Sequence, residues 1–440
     1  MTTELERIAD KARREPTLQF TSLAHHLTSE RLWQALHQIK AATAPGVDGV
    51  SHDEAVDTFG LWSRDVLNAV HRKGYHPPAV RRVWIPKPGK SAKRPLGVPT
   101  IADRALQRSV ADVLTAIYEQ DFLPVSFGGR PGRGAHHALA TLNQLLVSKR
   151  VNWVLEADLK NFFGSLDHEW MMQFMEQRVG DPRVLSLIRR WLKVGVLEAG
   201  EILPSLRGTP QGGSISVLLS NVYLHYVLDL WFAKAIQPRL EGGAYLVRYI
   251  DDFVVCFEHR RDADRFQAVL SQRLNKFGLE LEPTKTRLIA FGPRAHREAQ
   301  QQGRRKPETL YFLGFTHYCT RNRSGAFMVG RKTEKSRLKR TVQRLQSLMR
   351  EILHERIEDQ ARWINQLLQG HYAYFGMAGN ARSLRQVYRV VLRYWRRMLS
   401  RRSQKSYVTW DAFLRILRRC PLKRPKLSIP YTALRQYVIL

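Results

Sequence analysis

The residues best equipped for chemistry are Asp251 and Asp252, at the centre of the apolar run Tyr245-Leu246-Val247-Arg248-Tyr249-Ile250-Asp251-Asp252-Phe253-Val254-Val255-Cys256-Phe257. Folding alone gives no reason for two carboxylates there, because a charge taken out of water is strongly disfavoured unless a partner compensates it. The run reads as two short strands joined at the acidic pair, which projects both side chains at a turn. A divalent metal ion is the obvious partner, and paired carboxylates of this kind serve two-metal phosphoryl transfer. Two ions require a third acid. Asp158 is the candidate, since it ends the strand-like run from Val151 to Ala157 and precedes the aromatic pair Phe162-Phe163. Alone, Asp158 fits a helix cap or a turn better; beside Tyr249-Ile250-Asp251-Asp252 it reads as the third ligand. Three acids supply the oxygen donors that two Mg²⁺ ions prefer, with Mn²⁺ as a substitute.

Two other segments bear on a phosphorylated substrate. Thr209-Pro210-Gln211-Gly212-Gly213-Ser214 precedes a long apolar helix. Its glycines let backbone approach a ligand, and Gln211 can donate and accept hydrogen bonds. The same stretch also fits a plain helix-start turn. Ile85-Pro86-Lys87-Pro88-Gly89-Lys90 and Lys93-Arg94-Pro95-Leu96-Gly97 form a hairpin tipped with cations. Such a hairpin suits a triphosphate, or simply solvated surface.

The elements that must position these groups are mixed. Residues 1–75 read as an N-terminal helical extension, with Leu27, Leu32, Leu36 and Ile39 at helical spacing and a turn at Pro45–Gly49. From 76 to 330, strands at 83–85, 151–157, 245–257, 310–316 and 325–329 mix with helices at 101–118, 214–231 and 262–277. Asp167 caps a further helix that runs through Met175. Without regular βαβ alternation, this pattern predicts an α+β domain with an antiparallel sheet. From 331 to 440 the chain reads as basic helices. Leu338, Val342, Leu345, Met349 and Ile352 form one apolar stripe, read as core packing. Lys335, Arg337, Lys339, Arg340 and Arg344 lie opposite it, and Arg382, Arg385, Arg389, Arg393, Arg396 and Arg397 repeat the arrangement.

The charge balance narrows the class of partner. The 440-residue chain has 71 Lys and Arg against 39 Asp and Glu, a net of +32. Between Arg331 and Leu440 stand 26 basic and 6 acidic residues, a net of +20. A block of one sign repels itself unless a polyanion neutralises it, which points to nucleic acid. Cys256, Cys319 and Cys420 are too few and too scattered for a zinc site or a disulfide framework. Reduced thiols, no apolar signal core and no membrane span predict a cytoplasmic protein. Nothing in the sequence decides between a monomer and a homodimer.

In order and spacing these motifs resemble the reverse transcriptases of bacterial group II introns and their free-standing relatives, over nearly the whole chain. Gly46-Val47-Asp48-Gly49 is similar to the motif of their N-terminal extension, and Ile85–Pro88 with Arg94–Gly97 to their first fingers block. Ser126-Phe127-Gly128-Gly129-Arg130-Pro131-Gly132-Arg133 resembles the next block, with Gly129 where an aromatic is usual. Asp158–Phe163, Gly208–Gly213 and Tyr249–Asp252 match the successive palm motifs. Leu279-Glu280-Leu281 with Lys285-Thr286, and Phe312-Leu313-Gly314-Phe315, resemble the last two. The resemblance implies a right-hand polymerase with fingers and palm (76–330) and a maturase X-like helical thumb (331–440). It makes Asp158, Asp251 and Asp252, with the Leu159 backbone carbonyl, the metal ligands. It implies that Lys87 and Arg94, with Arg81 a weaker candidate, grip a deoxynucleoside triphosphate and that Gln211 contacts it. Phe163 would exclude a ribose 2′-hydroxyl, or else be a core aromatic; Lys285 would protonate pyrophosphate, or else be a surface lysine. Intron-encoded members usually carry Ala where this chain has Ile250. With no Cys pairs for an endonuclease and no RNase H domain, the free-standing branch suggests template-directed DNA synthesis on RNA or DNA in cellular repair: gap filling, lesion bypass, or end joining through short annealed ends. The alternative is an intron maturase whose main task is RNA binding.

Overall fold

The computed structural model describes residues 3–86, 93–198, 201–203, 207–208, 213–402 and 407–440, with only the backbone described at Arg94 and 201–203. Helices α1 (Thr3–Arg14), α2 (Ser29–His37), α3 (His52–Asp57) and α4 (Phe59–His71) come first. Each start is chemically marked where the sequence provides a cap: Thr28 accepts from the Arg31 amide, and Ser51 with Glu54 forms a reciprocal capping box. Strands β1 (Val80–Pro86) and β2 (Lys93–Val98) then form a hairpin, and α5 (Ile101–Asp121) and α6 (Ala135–Ser148) follow.

The central part runs β3 (Trp153–Asp158), α7 (Phe162–Ser165), α8 (His168–Glu176), α9 (Pro182–Lys193), β4 (Val196–Glu198), β5 (Glu201–Leu203), α10 (Ser216–Leu224), β6 (Ala244–Tyr249), β7 (Asp252–Phe257), α11 (Arg260–Lys276), β8 (Arg287–Ala290) and α12 (Ala295–Gln301). The Asp167 cap on α8 is present, its carboxylate accepting from the Trp170 amide. Four antiparallel strands in the order β6-β7-β3-β8 make the central sheet. Both of its faces are covered. Leu155, Ala157, Phe253, Val255 and Phe257 join the core built with α5, α8, α10 and α11. Val154, Val247, Val254, Cys256 and Ile289 face α6 and the later strands. Burial on both sides explains why β6 and β7 read as a continuous apolar run rather than an alternating one.

Strands β9 (Leu310–Phe312), β10 (Phe315–Arg321) and β11 (Phe327–Thr333) form a separate antiparallel sheet, and β11 runs across position 330. A third sheet, β2-β1-β4-β5, contains the parallel pair β1–β4. The antiparallel central sheet is as expected, and the β1–β4 pair adds a parallel contact that strands as short as β4 and β5 are too brief to announce by a pattern. Where one helix was expected over 214–231, α10 passes into π-helical turns at His225–Asp229 and Phe232–Ile236. The fold is α+β, as expected.

Helices α13 (Lys335–Glu351), α14 (Ile357–Phe375), α15 (Ala381–Leu399) and α16 (Trp410–Arg419) enclose a core of their own. Leu345 and Met349 of the apolar stripe are buried in it, and Leu338, Val342 and Ile352 are partly buried. Beyond α16 the chain returns to the central region. Ile429 bridges Met377, and the Ile439 amide and carbonyl both bond the Thr141 hydroxyl on α6.

Candidate active site

Strand register brings the acids together. In the β3–β7 pairing Asp158 lies directly opposite Asp252, while Tyr249 pairs with Asp252 to close a two-residue turn of Ile250 and Asp251. Ile250 has φ 58°, the left-handed region. Such a hairpin needs positive φ at its first central position, where glycine is the usual residue. A β-branched side chain there is strained by roughly 1–3 kcal/mol and persists only where its surroundings hold it.

Those surroundings are specific. The Arg248 guanidinium, fully buried, pairs with the equally buried Asp229 at 2.6 Å. Its Nη1 donates to the Ile250 carbonyl and to Asn221 Oδ1, each at 3.0 Å. Asn221 Nδ2 in turn donates to the Gly128 carbonyl at 2.8 Å. Residues 125–128 lie along β6, the Arg248 amide donating to Val125 and the Phe127 amide to Arg248. A Cβ on Gly128 would stand 2.6 Å from Ile250 Cγ1 and 2.7 Å from its amide nitrogen, so only glycine fits. Gly129 adopts φ 70°, and a Cβ there would stand 2.1 Å from Val217. An aromatic at Gly129 has no room beside α10 in this arrangement.

The electrostatics follow from crowding. Burial first, then the Asp158, Asp251 and Glu156 carboxylates, push Asp252 up to about 7, with Arg337 opposing them. Lys285 Nζ donates to Asp158 Oδ2. Burial lowers the Lys285 pKa, but the bond and charge of Asp158 outweigh it and hold the ammonium above the ordinary lysine value. Asp158, Asp252, Lys285 and Arg337 line one cleft of about 550 Å³, together with the turn Leu313-Gly314. That turn joins Phe312 to Phe315 and is held from two sides. Tyr374 of α14 donates to the Leu313 carbonyl at 2.9 Å, and Gly314 (φ 81°) packs on Arg337 of α13.

Mutually repelling, half-buried carboxylates are the donor set a hard divalent cation suits. Among the described residues, however, no three His, Cys, Asp or Glu side chains are gathered closely enough to hold an ion as they stand. Asp158 and Asp252 are brought together, Asp251 is next in the turn, and the ammonium on Asp158 is Lys285. Leu159 forms an antiparallel bridge with Leu281 in which the Asp158 carbonyl and the Lys160 amide make the bonds. The Leu159 carbonyl therefore faces the opposite edge, the hairpin side.

Phe163 is half-buried on α7, its ring centre 5.3 Å from that of Phe162. Gly208 is tied to the same segment, its amide donating to Leu166 and its carbonyl bonding His168 Nε2. Lys87 and Gln211 lie outside the described residues, and of Arg94 only the backbone, paired with Ile85, is described. Arg81 departs from its expected place: its guanidinium donates to the Pro45 carbonyl and holds the 45–49 turn. Sequence reasoning missed Arg248, Asp229, Asn221 and Gly128 as supports of the hairpin. The signal was present as three polar groups in apolar stretches, each needing a buried partner.

Residues 85–317 match the family model described as reverse transcriptase (RNA-dependent DNA polymerase). The chain is 33% identical over 230 residues to protein YkfC of Escherichia coli K12, covering 50% of this chain and 60% of that protein. It is 34% identical over 235 residues to the group II intron-encoded protein LtrA of Lactococcus lactis, covering 51% of this chain and 38% of that protein. A nuclear intron maturase 3 of Arabidopsis thaliana mitochondria is 25% identical over 181 residues, 36% of this chain and 25% of that protein. The matched stretch thus spans less than two thirds of each of these relatives.

Proposed function

Because the chain belongs to the reverse transcriptase (RNA-dependent DNA polymerase) family, we propose that it extends nucleic-acid primers with deoxynucleotides along an RNA or DNA template. The observation that carries this reading is the register placing Asp158 opposite Asp252 with Asp251 in the adjoining turn. Asp158, Asp251, Asp252 and the Leu159 carbonyl would hold two Mg²⁺ ions, with Mn²⁺ as a substitute. When bound, such ions lower the barrier to displacement at phosphorus by stabilising the attacking and leaving oxygens. The protein's own part is to position. The central sheet is the palm, α13 to α16 the thumb, and β1–β2 the fingers hairpin. Lys87 and Arg94 grip the triphosphate, Gln211 contacts the nucleotide, and Lys285 stands ready to give a proton to the pyrophosphate.

Phe163 selects the sugar. Its ring, half-buried beside Phe162, would lie under the ribose and clash with a 2′-hydroxyl. Phe163→Val is expected to raise ribonucleotide incorporation relative to deoxynucleotide by about tenfold or more, the size of discrimination that a close apolar contact supplies. Competing dNTP and rNTP in single-nucleotide extension checks it; an unchanged ratio makes Phe163 a packing residue.

Ile250 tunes primer choice by stiffening the turn beside the metal ligands. Ile250→Ala is expected to shift relative extension of short, freshly annealed primers against long ones by about fivefold, the difference made by roughly 1 kcal/mol of strain. Equal activity on both classes of primer removes that role. On this residue and the likeness to the free-standing branch rests the narrower proposal of a cellular repair role.

A second reading, RNA binding in support of intron splicing, is favoured by the intron-encoded proteins among the relatives. Primer extension on matched RNA and DNA templates separates the two, with dNTPs against rNTPs and Mg²⁺ against Mn²⁺. Tight binding of a structured intron with no nucleotide added under any condition supports the second and overturns the first.

A further inference from the structure

The C-terminal helices carry more positive charge than the carboxylate cleft can use, and it follows a path. Tyr311 and Glu334 line both the cleft and a larger groove of about 1250 Å³ between the β9–β11 sheet and helices α13 and α15. That groove continues along α15 through Arg382 and then Arg393 into a pocket of about 520 Å³ where α15 meets the start of α16. From Arg382 to Arg401 the path is about 28 Å at the α-helical rise. A single strand at roughly 3.4 Å per nucleotide covers it in about eight nucleotides.

The terminal pocket differs in kind from the rest of the track. Arg393, Arg397 and Arg401 are exposed, and among the described residues no carboxylate pairs with any of them. Between them stand two rings that folding would hide if it could: Tyr407 is 76% exposed and Trp410 48%. Arg396 fixes both. Its guanidinium lies 4.6 Å from the Trp410 ring centre and 5.9 Å from that of Tyr407, and its Nη1 donates to the Val408 carbonyl at 2.9 Å. An acidic surface would use the arginines and leave the rings idle. Stacked bases inside a duplex cannot reach flat aromatic faces. Unpaired bases can stack on them while the flanking phosphates meet the guanidinium groups.

We infer that this pocket holds a single-stranded stretch of nucleic acid, bases on Tyr407 and Trp410 and phosphates on Arg393, Arg397 and Arg401. It anchors an unpaired segment about eight nucleotides beyond Arg382. The inference goes beyond the proposed polymerase activity and is tested without nucleotides or metal, so a chain that adds no nucleotides still answers it.

The test is fluorescence anisotropy of the full chain with labelled 20-nucleotide probes at fixed salt: single-stranded DNA, single-stranded RNA, and a blunt duplex of equal length. The double variant Tyr407→Ala/Trp410→Ala is expected to bind at least one single strand about tenfold more weakly, with duplex affinity within about twofold of wild type. Tyr407→Leu/Trp410→Leu, which keeps apolar bulk without a stacking face, is expected to show the same loss. Tyr407→Phe/Trp410→Phe is expected to retain binding, which separates stacking from folding. An equal loss on duplex and single strands, or leucine variants that bind like wild type, overturns the inference and leaves an undifferentiated basic surface.

Discussion

Asp252→Asn is expected to lower nucleotide incorporation by about 10³-fold or more, with template–primer binding within about twofold of wild type. The substitution keeps the shape of the side chain and removes one negative charge. Asp252 starts β7 opposite Asp158, is half-buried, and feels the Asp158, Asp251 and Glu156 carboxylates more strongly than the opposing Arg337. A structural acid would show the opposite environment, with cations or amide donors around it. If two ions are held there, losing one anionic ligand forfeits several kcal/mol of transition-state stabilisation, and each ~1.4 kcal/mol is tenfold in rate. Because the same change lifts like-charge repulsion, the metal-free protein is expected to melt no lower than wild type. Single-turnover primer extension and a thermal melt check both halves. An active Asp252→Asn enzyme removes the carboxylates from the mechanism; an inactive one that also melts well below wild type assigns them to the fold.

The largest effect on stability is expected at Asp229. Asp229→Ala leaves the Arg248 guanidinium, wholly inside the protein, with Asn221 and one carbonyl as its remaining partners. Breaking a buried pair by removing one member costs about 3–5 kcal/mol, chiefly because the other charge stays desolvated. Denaturant unfolding measures it. The informative companion is Asp229→Leu with Arg248→Met, which removes both charges and keeps the volume. Its stability is expected to recover to within about 1–2 kcal/mol of wild type. Incorporation is not expected to recover, since the bond from the Arg248 guanidinium to the Ile250 carbonyl, which helps hold the strained φ of that residue, is gone. Recovery of activity along with stability would show that the network supports packing alone.

Much of the site was legible in the sequence because charge inside an apolar run is conspicuous. Asp251 and Asp252 stood out between Tyr249 and Phe253, and Asp158 at the end of β3, before any pairing was known. The helices announced themselves by caps and spacing: Asp167 caps α8, and the stripe through Leu345 and Met349 became core. What stayed hidden depends on partners distant along the chain. Asn221, Asp229 and Arg248 are separated by 8 and 19 residues and meet only because α10 and its π turns lie under β6. Arg81 is cationic and sits beside the fingers hairpin, so it read as a phosphate ligand, yet the nearer claim on it is the backbone at Pro45. Gly129 read as a departure from a resembling block, and its cause, contact with Val217, is invisible without the packing of α10. The strands β4 and β5 are too short to carry any periodicity.

The stretch from Ile429 to Ile439 leaves α16 and is stitched back onto Met377 and Thr141. The helical unit from α13 to α16 is therefore a handle fastened at two points, the β11–α13 connection and the Thr141 contact, rather than an arm on one hinge. Any swing towards the carboxylates must twist both fastenings at once, which favours small rocking over wide opening.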